Sequence, residues 1–146
     1  MSKTSEIPFA TTLLVRDSCL CLHTQRAARA LARRFDDALR QVGLTSGQFS
    51  LMMSLNRPHP PGIGAVAALL AMDRTTLTAA LKPLERRGLV EVTADPMDRR
   101  GRLLTLTPEG RDVLARAVPV WTQTHAVVET VLEDAARLRR DLYALS

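Results

Sequence analysis

A single pair of strand-patterned runs stands in a chain otherwise patterned for helices. Leu89-Val90-Glu91-Val92-Thr93 is β-branched and alternating, and Leu103-Leu104-Thr105-Leu106-Thr107 reads as the returning strand. Between them Ala94–Arg102 is a charged turn, with Pro96 and Gly101 bracketing the hairpin tip. The hairpin follows at once on a helix that Asp73 N-caps, that Leu77, Leu81 and Leu84 stripe, and that ends near Arg87 and Gly88. Behind it, Thr107 is an N-cap with Pro108 at the first helical position and Glu109 in the first turn.

The rest of the pattern is helical. Leu13, Leu20, Thr24, Ala27, Leu31, Phe35, Ala38 and Val42 recur on one face and predict one helix over 13–42, closed by Gly43. Such a length usually packs against something outside its own small domain. Thr45 and Gln48 have capping-box spacing before Phe49, Leu51, Met52 and Leu55. The segment Arg57–Gly64 holds three prolines and two glycines and reads as a loop. A short helix follows over 65–70, then a tight turn at Met72-Asp73. After the hairpin, a helix runs to about Thr130 with a kink expected at Pro119. Asp134 opens a last helix bearing Leu138, Leu142 and Leu145. Helix–turn–helix followed directly by a basic hairpin is a winged helix-turn-helix. The expected fold is therefore mainly α (α+β). Residues 43–107 form the DNA-binding lobe, and 1–42 with 108–146 form a helical dimerisation region.

Charge points the same way. The 146 residues carry 20 Lys and Arg against 15 Asp and Glu, and only two of the bases are lysine. The pI near 10.2 favours an anionic partner, nucleic acid or a membrane surface. Eight bases and five acids fall within 57–102, the segment of short elements. Arginine suits phosphate and base edges. Aromatics are 3%, too few for stacking platforms that bind single strands. The longest apolar run near the N-terminus, Leu13–Val15, is too short for a signal segment or a membrane span. A cytoplasmic protein without a membrane partner is expected. No nucleophile elbow, phosphate-binding glycine loop or paired-carboxylate motif is present, and the three histidines are scattered, so no catalytic residue and no enzyme are expected.

A recognition helix needs short polar side chains at its N-terminal end, so that its backbone approaches the bases. Arg74, Thr75, Thr76 and Thr78 have that character, and Lys82 lies with them away from the leucine stripe. The hairpin holds Asp98, Arg99, Arg100 and Arg102 within five residues. A narrow minor groove attracts such arginines. Cys19, Cys21 and His23 form a C-x-C-x-H run on the predicted first helix. At about 100° per residue, Cys19 and Cys21 point nearly opposite ways on one helix. That disfavours a metal site and a disulfide between them, and no cofactor is expected.

Three segments together resemble the MarR (multiple-antibiotic-resistance regulator) family of transcription factors. They are Gly43-Leu44-Thr45-Ser46-Gly47-Gln48-Phe49; Asp73-Arg74-Thr75-Thr76-Leu77-Thr78 through Leu84-Glu85-Arg86-Arg87-Gly88-Leu89-Val90; and Asp95-Pro96-Met97-Asp98-Arg99-Arg100-Gly101-Arg102 ending in Leu106-Thr107-Pro108-Glu109-Gly110. The resemblance implies a homodimer on a palindromic double-stranded operator, acting as a repressor that a small-molecule or redox signal releases. It implies that Arg100 enters the minor groove or meets the backbone while Asp98 steadies it. It also implies an effector pocket for small aromatic acids or phenols, for which His23, Arg26, Trp121 and His125 are the candidates. An anionic ligand would need Arg or His there. Leu20-Cys21 and Arg29 resemble the organic-hydroperoxide-sensing branch, which makes Cys21 the redox candidate. The places of that branch's activating tyrosines hold Phe35 and Ser46, so the ligand route is preferred over a redox one.

Overall fold

The computed structural model describes residues 5–146, in two compact units, Met1–Arg34 and Phe35–Ser146. In the first unit, Pro8 starts α1 (Phe9–Ser18) and a second helix, α2 (Leu20–Leu39), follows. The predicted helix over 13–42 is thus two helices and a terminal 3-10 turn, Arg40–Val42. The break is Cys19, whose backbone is extended (φ −69°, ψ 111°). Cys19 serves both helix ends. Its N–H donates to Val15 O at 3.0 Å, closing α1, and its Sγ accepts from Leu22 N–H at 3.4 Å, capping α2. Neither Pro nor Gly marks the place, so periodicity alone reads through it. The two thiols therefore do not share one helix, and the opposed-faces argument against their meeting does not apply. Leu20, placed on the apolar face from the sequence, is 69% exposed, and Leu39 is the one buried residue of α2.

The second unit is built around its caps. Gly43 turns left-handed (φ 73°) after the 3-10 turn, where a side chain would be strained. Thr45 and Gln48 close the predicted capping box on α3 (Ser46–Ser54), each hydrogen bond 3.1 Å. Phe49, Leu51, Met52 and Leu55 are buried as expected. The next helix, α4 (Ile63–Leu70), begins two residues earlier than predicted, and Ala71 ends it in the left-handed region (φ 52°, ψ 42°). Asp73 then caps α5 (Arg74–Arg86), and Leu77, Leu81 and Leu84 are its buried stripe. The helices α4 and α5 meet at 104°, within the range of helix-turn-helix pairs.

The hairpin is longer than the sequence suggests. Strands β1 (Val90–Asp95) and β2 (Asp98–Leu106) pair antiparallel, with Val90 opposite Leu106 and Val92 opposite Leu104. That register places the apolar side chains on one face, toward the core. The charged turn predicted over 94–102 is mostly strand, and only Pro96 and Met97 form the tip. Ala94 pairs with Arg102 but Asp95 with Asp98, so Arg99, Arg100 and Gly101 bulge from the ladder. Helix α6 (Pro108–Glu129) runs through Pro119, and Asp134 caps α7 (Ala135–Ala144) by accepting from Arg137 N–H at 2.9 Å.

One close approach fixes how α6 leaves the hairpin. A Cβ on Gly110 would lie 2.0 Å from the Leu89 carbonyl oxygen, a backbone atom with no room to yield. Gly110→Ala should therefore lower stability by about 2–3 kcal/mol, read as a fall in the urea midpoint at unchanged slope.

Candidate nucleic-acid interface

The recognition surface begins at the α5 cap. Asp73 Oδ1 accepts from Thr76 N–H at 2.7 Å, and its Oδ2 accepts from the Thr76 hydroxyl at 2.9 Å. These two bonds, the backbone one foremost, hold the Asp73 carboxyl below its ordinary value of 3.8. Thr76 thereby positions the helix start and is itself exposed. Thr75, Thr78 and Lys82 are exposed on the face opposite the leucine stripe. Arg74 is exposed too, and its guanidinium lies over Gly64, where a Cβ would come within 2.8 Å of it. The predicted polar face is thus free of the core while its backbone is fixed at the N-terminal end.

The wing presents its arginines by a different device. Asp95 Oδ1 accepts from Met97 N–H at 2.8 Å, and Asp98 Oδ1 accepts from Arg100 N–H at 3.0 Å. Two successive aspartates therefore shape the tip through their own backbone neighbours. Gly101 fits beneath them: a Cβ there would meet Asp95 Cβ at 3.1 Å and Asp98 O at 3.3 Å. Arg99, Arg100 and Arg102 are all exposed around this fixed tip. Asp98 acts on the Arg100 backbone rather than on its guanidinium.

Sequence reasoning missed two connections behind the interface. Arg87, one residue past α5, donates to Gly43 O at 2.8 Å, across 44 residues. Asp36 on α2 accepts from Ser46 N–H at 2.6 Å, adding a carboxylate to the start of α3. That backbone bond is the main reason the Asp36 carboxyl lies below its ordinary value. No local pattern signals either bond.

Of the effector candidates, Trp121 and His125 come together. Their rings stack at 4.7 Å and 17°, with Phe49 stacked on Trp121 at 6.1 Å and Phe35 tilted against His125 at 6.5 Å. His125 Nε2 lies 3.8 Å from Glu129, whose carboxyl Arg139 holds below its ordinary value. His23 and Arg26 belong to the first unit and are exposed on α2. His23 Nδ1–H donates to Cys19 O at 2.7 Å. Cys21 is exposed, its Sγ accepting from Gln25 Nε2 at 3.4 Å. Among the described residues no group of three or more His, Cys, Asp or Glu converges as a metal site, and no single helix is long and apolar enough to cross a membrane.

A 104° helix pair, an exposed polar face on its second helix and an arginine-tipped hairpin define a winged helix-turn-helix protein. A family model described as MarR family matches residues 44–101, which run from just before α3 to the wing tip. The M. tuberculosis transcriptional regulator MosR, solved in complex with DNA, is 40% identical, with 88% of this chain and 93% of that one covered and a TM-score of 0.82. The transcriptional repressor CouR, solved on a 23-mer DNA duplex, is 30% identical, with 96% and 94% covered and a TM-score of 0.70. The transcriptional activatory protein BadR of Rhodopseudomonas palustris is 35% identical over 91 residues, 60% of this chain and 52% of that one. The chain spans about half the length of the curated relatives it matches. It belongs to the MarR family of winged helix-turn-helix transcriptional regulators.

The cap supplies a pH test. Because the Asp73 carboxyl sits below its ordinary value when folded, its contribution to stability is present above that value and is lost as pH falls through the folded one. Asp73→Asn keeps a good N-cap but no longer titrates. The variant should be less stable than the wild type at neutral pH, where the carboxylate contributes, and the gap should close below about pH 4 as the wild type protonates, as measured by urea unfolding across the acid range.

Proposed function

We propose that the protein binds a palindromic double-stranded operator as a homodimer and represses transcription until a small aromatic acid or phenolic ligand releases it. The observation that carries the DNA reading is the pairing of two exposed, locally fixed surfaces on one lobe: the α5 face with Arg74, Thr75, Thr76, Thr78 and Lys82, and the wing with Asp98, Arg99, Arg100 and Arg102. MosR and CouR were each solved on DNA, and CouR is named a repressor, which supports the same partner and sign here. In this reading residues 43–107 contact DNA, while 1–42 and 108–146 build the dimer. Leu138 and Leu142 on the last helix, and Leu145 just past it, are exposed in the single chain, as a two-fold contact requires. Half-sites lie about 34–36 Å apart, so a ligand that favours another spacing of the two α5 helices releases the dimer. The proposed role has no catalytic step and places the protein with DNA in the cytoplasm.

Binding to duplex DNA across a salt series tests this. Arg100→Ala should weaken binding and lower the salt slope by about one ion per subunit if it meets phosphate. If it reads a narrow groove instead, the loss should grow with A·T content near the half-site. Thr75 or Thr78 substitutions should change base preference by about 1–3 kcal/mol at a direct contact. Unchanged affinity of Arg100→Ala at every salt concentration removes the wing from the mechanism.

A second reading rests on the exposed Cys21 thiol, whose oxidation would add bulk on α2. Cys21→Ser should bind DNA and keep its response to aromatic ligands. If micromolar organic hydroperoxide releases the wild type and not this variant, oxidation is the signal and the ligand reading fails.

A further inference from the structure

The wing tip carries a side chain that the proposed DNA contacts leave unused, and the inference rests on the DNA reading above. Met97 is 91% exposed, more than any other large apolar side chain among the described residues. It forms the two-residue tip with Pro96, between Asp95 and Asp98, and Pro96 is exposed beside it. The backbone under it is fixed, because Met97 N–H donates to Asp95 Oδ1 at 2.8 Å. The neighbouring carboxylates are both engaged by the tip's own backbone, Asp95 by Met97 N–H and Asp98 by Arg100 N–H. The foremost surface of the wing is therefore apolar, with Arg99, Arg100 and Arg102 exposed behind it.

A thioether chain held out in water leaves its hydrophobic energy unrealised until something covers it. Bulged arginines are drawn to the negative potential of a narrow minor groove, and the tip precedes them into it. That groove is about 6 Å wide, which a single unbranched, flexible and polarisable side chain can enter. Methionine and proline are both among the side chains that wedge between base steps from the minor-groove side. We propose that Met97 enters the minor groove ahead of Arg100 and opens one base step beside each half-site. The step is a pyrimidine–purine step, the kind that unstacks most easily. Opening it from this side kinks the duplex toward the major groove, the groove proposed for the α5 face. Met97 thus adds a sequence preference through deformability, at a position where it makes no hydrogen bond to a base.

The probe is a duplex that the wild-type protein selects from a randomised pool, carrying the fluorescent adenine analogue aminopurine at successive positions. Its emission rises where its neighbours unstack. The wild type should raise emission at one step near each half-site. Met97→Ala should lose most of that rise and bind about tenfold more weakly. Its salt slope should stay at the wild-type value, because no phosphate contact is lost. Met97→Leu should restore both rise and affinity, and Met97→Gln, of similar length but polar, should not. The side chain is exposed, so the urea midpoints of all three variants should match the wild type. Replacing the opened step by an A-tract should weaken the wild type more than Met97→Ala. An emission rise unchanged in Met97→Ala overturns the proposal. So does a wild type that binds the duplex without raising emission at any position. If Arg100→Ala abolishes the rise while Met97→Ala keeps it, the arginine opens the step and the proposal fails. A wild type that selects no duplex from the pool overturns the DNA reading itself, an outcome told apart from the others because no complex forms.

Discussion

Thr107 is the joint on which the second unit turns. Its N–H donates to Leu89 O at 3.1 Å, its hydroxyl donates to Gly88 O at 2.6 Å, and the same oxygen accepts from Gly110 N–H at 3.0 Å. One residue thus ties the end of the recognition helix, the root of the hairpin and the first turn of α6. Gly110 lets α6 lie against the Leu89 backbone, and Arg111 donates to Leu106 O at 3.1 Å beside it. If this joint opened, the α5 face and the wing would lose their common origin, because the hairpin has two strands and little independent stability.

Two further bonds extend the frame away from the DNA side. Arg87 anchors the end of α5 to Gly43, and Asp36 anchors α3 to the last turns of α2. The same unit holds the aromatic column of Phe35, His125, Trp121 and Phe49, drawn from α2, α3 and α6. A molecule wedged against Trp121 would therefore press on α3 and α6, the two helices this frame ties to the lobe. The stiffness of a packed interior makes such a push felt as a shift of whole elements rather than as local softening.

What could be read from the sequence was local. The caps at Thr45, Asp73, Thr107 and Asp134 each rest on a side chain bonding three residues on, and all four stand where their spacing placed them. The leucine stripe of α5 was equally legible, since period alone selects Leu77, Leu81 and Leu84. The break at Cys19 was not, because a sulfur cap is rare and the apolar period runs on across it. The wing was underdrawn because Asp, Pro and Gly read as a turn, whereas the ladder resumes beyond the tip and absorbs three residues as a bulge. The Arg87–Gly43 and Asp36–Ser46 bonds join positions whose nearness only the folded chain creates. For the interface, the residue types were legible. The division of labour was not: Thr76 and Asp98 bond to backbone or cap, and their neighbours are left outward.

The bulge has a consequence for the protein at rest. A two-stranded sheet has two unpaired margins, and either is a template on which another chain can add a strand. Here Leu104 N–H on β2 is already taken by Pro61 O, with Gly62 bridging Leu103. Beyond that point the bulged Arg99-Arg100-Gly101 breaks the straight run of donors and acceptors and brings like charges to any copy approaching it. The remaining margin, β1, carries the exposed Glu91 and Thr93. The kink that holds the arginines out thus also guards the sheet against growing into a fibril when many such molecules crowd one another.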